Sequence, residues 1–500
     1  MRRQFLAVLV LFCAGSANAP AQTALPRESI TATGIRHHVF FLAGEELGGR
    51  WPGSPGLRAA SQYAASQFRA AGLVPVFLDG EKPSYFQTVP MVKRSVRSAP
   101  VLRIHTAAGE RTFVHGADFK WFTGSPPADE RPRAVVSAGY GIGEPESGWN
   151  DFRGLDVQDK IVLIKMGIPD QGLPEVLRAR YAPGNSFMRK ITDLIARKPA
   201  AVFIAPQPEI DTQWKSLPTI DMNPPFAYKD TAPGSFNVPF IGFLKTEVGK
   251  ALLSGENAAW DKPGAIEGVS MILSASTKDV DVQAWNVAGA VPGWDSALKD
   301  EVVVVSAHLD HLVSGPGEAF FPGANDNASG SAGLLEIAEA VAQHPPRRSV
   351  LFVLFTGEEG GDMGALHFIS RPPVARSRIV ADINMDMIGR NEADSADGRV
   401  QYALDSDVIQ PSFTRLIQEV NDWTVGWPLK FQHPSGLGDS DHRIFEAFRI
   451  PAVNFYTGKI PDTHKTTDTP DKIDYKKAET IARLVFEVAR ELGERDLPWK

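Results

Sequence analysis

The chain predicts an α/β fold: a mixed, mostly parallel central sheet covered by helices on both faces, with a β-rich segment inserted into it. Three observations lead there. The runs "EVVVVSAH" (301–308), "SVLFVLFT" (349–356) and "IVADINMDM" (379–387) are almost continuously apolar, as strands buried on both faces must be. Between the first two lies "GSAGLLEIAEAVAQH", with Leu334, Ile337, Ala338 and Val341 on one helical face. From about residue 95 to 280 the character changes to short β-like runs separated by proline-rich turns.

The elements follow in order. "MRRQFLAVLVLFCAGSANAPAQ" has two arginines, a short apolar run and then small residues, which is the pattern of a secretory signal peptide over residues 1–21. Cleavage falls after Ala19 or Ala21, and the product is exported, periplasmic or secreted. A lipoprotein signal at Cys13 is disfavoured by bulky Phe12 before it. Residues 22–95 read as helix, loop, helix. Ala60, Tyr63, Ala64, Phe68 and Ala71 share a face and Gly72 supplies the stop. The intervening "GGRWPGSPG" is a surface loop, or a lip over something. Residues 96–280 form the inserted module, with "RAVVSAGYGI", "KIVLIKMG", "AAVFIAP" and "VPFIGFL" as its strands. Its "GYGIG" lacks a full Gly-x-Gly-x-x-Gly before a helix, so no nucleotide site is expected. Residues 281–500 hold the α/β pattern.

Composition narrows the functional class. Hydrophobic residues make up 43% and charged residues 22% of 500 positions, which is the globular range. The net charge of −7 disfavours nucleic acid and anionic lipid as partners. No stretch after the leader approaches the roughly 18 apolar residues of a membrane span. Cys13 is the only cysteine, so the mature chain has neither disulfides nor a thiol nucleophile. Gly-x-Ser-x-Gly and His-Glu-x-x-His are also missing.

In such a sheet the working residues gather at the carboxyl ends of the strands. Those ends carry His308, Asp310 and His311 in "SAHLDH", Asp326 in "GANDNASG", Glu358 and Glu359 in "TGEEGG", Asp386 in "NMDMIG" and His464 in "PDTHKTTDT". A histidine, aspartate, glutamate, aspartate and histidine in succession make a thiol-free ligand set that suits zinc, and two ions better than one. The neighbouring glutamates then divide their work. One carboxylate coordinates zinc, and the other accepts a proton from an activated water. Each piece has a plainer alternative: adjacent glutamates are usually solvated charges, and Asp326 suits a turn or the N-cap of the next helix. His311, His367, His433 and His442 are read as structural.

As an ordered set, "AHLDH", "GANDNASGSAG", "GEEGG", "NMDMIG" and "H…DT" resembles the co-catalytic di-zinc aminopeptidase family. That family is related to glutamate carboxypeptidase-like enzymes and, more distantly, glutaminyl cyclases. The likeness runs over about residues 283–475, and "LAGEELGGRWPGSPG" and "NVAGAVPG" also fit it. The middle module resembles a protease-associated domain. The resemblance implies two zinc ions per chain, one held by His308 and Asp386, the other by Glu359 and His464, with Asp326 bridging. It implies Glu358 as general base to a bridging hydroxide and Asp310 as the group that orients His308. The substrates would be peptides with a free N-terminus. One departure is Thr463, where many relatives have a tyrosine that helps stabilise the oxyanion; Tyr456 is a weak substitute. Two alternatives stay open: a carboxypeptidase using Arg390 or Arg443 as a carboxylate clamp, and a non-catalytic receptor on a peptidase fold. Sequence leaves the oligomeric state open.

Overall fold

A computed structural model describes residues 26–181, 186–217, 226–229, 238–252, 260, 262–312, 320–391, 401–404, 411–432, 440–458 and 460–499. The leader with Cys13, and His433, lie outside the described residues.

The strands Val302–His308, Ser349–Phe355, Ile379–Met385 and Ala452–Tyr456 form the parallel centre of a mixed sheet, with Val302–His308 between the next two. Nearly every residue in them is buried on both faces, which explains their unbroken apolar runs. On one face pack the helices Ala32–Leu42, Gly330–Gln343 and Tyr475–Glu494. They share a core of Val39, Leu334, Ile337, Val485 and Leu492 with Val303, Val305 and Phe352 of the strands. On the other face, Phe368 and Phe445 of two shorter helices meet Val304, Val353 and Phe355. Burying each such side chain contributes roughly 1.5–3 kcal/mol. The expected α/β class with helices on both faces is the observed one.

Two long antiparallel strands, Phe86–Thr106 and Gly264–Val291, lead out of this layer. Val287–Val291 pairs with Ser349–Phe355 at one end, and the far end of the same strand pairs with Arg133–Ser137. From there the sheet continues through Ile161–Ile164, Ala201–Ile204 and Phe240–Leu244, all parallel. These are the four runs read as strands. The segments between them are not turns alone: parallel neighbours need crossovers, and the chain supplies helices Ser186–Ala196 and Pro208–Thr212 there. The middle segment is therefore strand-rich, as expected, with helical crossovers that the sequence reading did not include.

The helix Pro55–Ala70 buries Ala60, Ala64 and Phe68 as its periodicity requires, and Gly72 follows it at φ +83°. The loop before it corrects the surface reading. Gly49, Arg50, Trp51 and Pro52 are all buried, so this segment is a lip with its residues turned inward. Among the described residues, no helix is long and apolar enough to cross a membrane.

Candidate metal centre

Parallel pairing brings the strand ends to one edge. His308 is registered against Phe355, so the chain beyond Phe355 reaches Glu358 and Glu359 beside it. Ser306 is registered against Asn384, so His308 and Asp386, each two residues on, emerge together. Asp326 arrives from the turn ahead of Gly330–Gln343, and His464 from the loop after Ala452–Tyr456.

The side chains converge. Nε2 of His308 lies 3.2 Å from Oδ1 of Asp386 and 3.4 Å from Oδ1 of Asp326. The other Asp326 oxygen, Oδ2, lies 3.1 Å from Nε2 of His464, which is also 3.1 Å from Oε2 of Glu359. Asp326 thus presents one oxygen to each histidine. Oε2 of Glu358 stands 3.9 Å from Nε2 of His308, farther than either aspartate. His308, Glu358 and Asp386 each offer a donor atom within 4.8 Å of one another, and so do His311, Asp326 and Glu359. Two neighbouring sets of nitrogen and oxygen donors without sulfur fit zinc.

The surrounding bonds explain how the cluster is aimed. Asp326 does not cap the following helix. Its neighbour does: Oδ1 of Asn327 accepts from the Gly330 N–H at 2.9 Å, which leaves the Asp326 carboxylate for the cluster. The Asp326 N–H instead donates to Oδ2 of Asp468 at 3.1 Å. His464 and Met387 both hold left-handed backbone, at φ 56° and 55°. Strain of this kind persists where the surroundings enforce it, commonly at functional sites.

The part expected of Asp310 is corrected. Its carboxylate oxygen is 3.9 Å from Nδ1 of His308, too far for a hydrogen bond, and the imidazole faces the Asp310 main-chain carbonyl at 3.2 Å. The carboxylate accepts instead from the N–H groups of Glu358 (3.2 Å) and Glu359 (3.4 Å). Asp310 thereby anchors the two-glutamate turn. The reason is local geometry: two residues on from His308, the carboxylate meets the neighbouring strand's end before it can fold back to the ring.

One residue was missed. His311, read as structural, is wholly buried and places Nδ1 2.7 Å from Oε1 of Glu359. Glu359 therefore has His311 on one oxygen and His464 on the other. The doubled histidine in "HLDH" was the available signal.

Electrostatics follow from burial. Glu358 is held well above the usual carboxylate range by desolvation, against the pull of His308. Burial pushes Asp310 up to about 6. Burial acts the same way on Asp326, but its hydrogen bonds to His308 and His464 hold it well below the usual range. Its bonds to Asp326 and Glu359 raise His464 to about 10. A bound cation would replace the histidine protons as the positive partner of these carboxylates.

Other candidates lie to the side. The Thr463 hydroxyl accepts from the Ile460 N–H at 3.3 Å. Tyr456 is buried in a small apolar group with Met387 and Ile460. Arg390 pairs with Asp462 at 3.3 Å and Arg443 with Asp362 at 2.7 Å. His367 meets the Tyr228 hydroxyl at 2.9 Å, and His442 opens the helix His442–Ala447.

Comparison with known proteins adds the family. Residues 286–489 match the model of peptidase family M28. The chain is 27% identical over 273 residues to leucine aminopeptidase 2 of Trichophyton rubrum, covering 51% of this chain and 52% of that one. It is 28% identical over 220 residues to a probable leucine aminopeptidase of Arthroderma otae, covering 42% and 57%. The chain thus spans about half the length of the curated relatives it matches. Its fold is shared with an aminopeptidase from Aneurinibacillus sp. strain AM-1, at a TM-score of 0.50 and 20% identity over 94% of this chain and 96% of that one. Over residues 286–489, the stretch that carries all the converging side chains, the chain is thus similar to peptidase family M28.

Proposed function

We propose that this protein is a zinc aminopeptidase, hydrolysing the N-terminal peptide bond of peptides with a free amino group. The single observation that carries the reading is Asp326, with one carboxylate oxygen toward His308 and the other toward His464. A carboxylate so placed suits two cations side by side. His308 and Asp386 would hold one zinc, Glu359 and His464 the other, and Asp326 would bridge them. When bound, the two ions would polarise the scissile carbonyl and bring the pKa of a water in the cleft toward about 7.

The chain's own residues do the rest. Glu358 is the general base: its carboxylate stands farther from His308 than Asp386 and Asp326 do, and its burial favours taking up a proton. Asp310 holds the two glutamates apart in function by fixing both of their backbone N–H groups, so that one turns to the ligand set and the other to the water. His311 holds Glu359 in its ligating pose. A surplus of buried carboxylates suits a substrate ammonium. The two arginines that a carboxypeptidase would use as a clamp are already paired with Asp462 and Asp362. That observation favours attack from the amino end over the carboxypeptidase alternative.

Residues 96–280 form the inserted domain of this reading, protease-associated in type. Its support is a pair of cores of its own, one around Phe119, Trp121 and Phe240 and one around Val162, Ile204 and Phe243. Export rests on the N-terminal leader.

The test is direct. Purified protein should contain close to two zinc ions per chain, lose turnover on chelation and regain it with zinc. Peptides with a free N-terminus should be cleaved and N-acetylated ones left intact. Cleavage of the blocked peptides at the same rate would overturn the aminopeptidase reading, and full activity without metal would overturn the mechanism.

A further inference from the structure

Arg50, in the buried lip "GGRWPGSPG", is 1% exposed, and its guanidinium makes no ion pair among the described residues. It spends its N–H groups on main-chain carbonyls. Nε donates to Leu309 O at 2.8 Å, Nη1 to Leu42 O at 2.5 Å and Pro322 O at 2.8 Å, and Nη2 to Gly323 O at 3.0 Å. The main-chain oxygen of Arg50 accepts from the His311 N–H at 3.1 Å. Leu309 lies between His308 and Asp310, Pro322 and Gly323 lead into Asp326, and Leu42 ends the first helix. Three separate segments are therefore tied to one side chain, and two of them carry the converging ligands.

The lip is built to hold that side chain inward. Ser54 caps the next helix by accepting from the Leu57 N–H at 3.1 Å, and the Ser54 N–H returns to Trp51 O at 2.9 Å. A Cβ on Gly56 would stand 2.0 Å from Leu47 O and 2.1 Å from Gly49 O, so only glycine lets the lip close this tightly on the helix. The buried Trp51 packs edge-to-face on Phe226 with ring centroids 5.3 Å apart.

A buried cation with no hydrogen-bonded acid is costly unless charge nearby offsets it. Burial lowers the Arg50 guanidinium to about 10, and the charges of Asp326, Asp310, Asp468 and Glu359 act against that, in the direction that keeps it protonated. The influence is mutual. Without cations the clustered carboxylates repel one another, and a fixed positive group behind them reduces that repulsion.

We propose that Arg50 is a positioning residue of the metal centre, which clamps the two ligand-bearing loops together and neutralises part of their charge so that the ligands are arranged before metal arrives. The proposal rests on the reading of this cluster as a metal site. Lysine cannot replace it, because three donors on one atom do not span the three segments that the planar fork reaches.

The test uses the full chain as Arg50→Lys and Arg50→Met, with Phe368→Leu, in the core of the opposite sheet face, as a control of similar thermal midpoint. Zinc affinity is measured by competition with a chromophoric chelator, the site's symmetry by the visible spectrum of the cobalt-substituted protein, and turnover as separate kcat and KM. Both Arg50 variants should bind zinc at least about 10-fold more weakly, shift the cobalt spectrum and lose kcat with little change in KM, while Phe368→Leu keeps its zinc affinity. Arg50→Lys or Arg50→Met binding zinc within about twofold of the unaltered chain overturns the proposal, and so does an equal loss in Phe368→Leu. Should the Arg50 variants not fold, the unaltered chain decides. After chelation, amide exchange at Leu309–His311 and Gly323–Asp326 should stay as protected as in the zinc form, and collapse of that protection refutes pre-arrangement. If the unaltered chain binds no zinc, the metal-centre reading itself fails. If it binds zinc but cleaves no peptide, only the aminopeptidase reading fails, and Arg50 remains open to the same measurements.

Discussion

Nδ1 of His311 and Oε1 of Glu359 lie 2.7 Å apart, in a position from which solvent is excluded on the histidine side. A carboxylate that coordinates metal through one oxygen is usually steadied through the other, and removing such a partner costs about 10–100-fold in metal affinity. His311→Ala is expected to lose zinc affinity in that range. His311→Gln, which keeps a donor, should lose less. Chelator-competition titrations of the two variants check this; equal affinity for His311→Ala and the unaltered chain would remove His311 from the site.

The paired glutamates should separate cleanly. Glu358→Gln is expected to lower kcat by about 100-fold to 10,000-fold, the range of a lost general base, with zinc content unchanged. Glu359→Gln should lose zinc together with activity. Metal analysis beside kinetics distinguishes the two, and the opposite pattern would mean that the roles are exchanged.

Because Arg390 and Arg443 are engaged by Asp462 and Asp362, a substrate's C-terminal carboxylate meets neither as a free clamp. C-amidated and free-acid versions of one peptide should show kcat/KM values within about threefold of each other. A strong preference for the free acid would revive the carboxypeptidase alternative.

Away from the site, Arg94 and Asp279 face each other across the two long strands and bond twice, at 2.8 and 2.9 Å. Lys229 adds a third contact to the same carboxylate at 2.7 Å. Hydrogen bonding to Arg94 lowers Asp279 to about 2 from its model-peptide value of 3.8. A carboxyl depressed on folding stabilises above its unfolded pKa, and that contribution fades as pH falls from about 4 to about 2. Denaturation midpoints measured from pH 2 to 6 should fall more steeply toward acid for the unaltered chain than for Asp279→Asn. Parallel curves would show that the pair contributes nothing pH-dependent.

Much of this protein is written locally. An apolar run such as Val302–Val305 has to be covered on both faces, and parallel neighbours have to end on one edge, so the strands and the edge that bears His308, Glu358, Glu359 and Asp386 follow from the order of residues. The helix Gly330–Gln343 and the arrival of two neighbouring glutamates at that edge are legible for the same reason: periodicity and donor type are properties of short stretches.

What needed the tertiary structure is every choice among partners that are distant in sequence. "HLDH" does not say that His311, rather than solvent, finds Glu359, or that the Asp310 carboxylate prefers two backbone N–H groups to the imidazole two residues away. Nor does "GGRWPG" say that its arginine turns inward to three chain segments, up to 273 residues away. The helices between the middle strands were hidden behind prolines that read as turns. Sequence alone determined which chemical groups reach one sheet edge. Only the packed chain decided which of them touch, because hydrogen-bond geometry is settled by loops meeting in space and not by any single stretch.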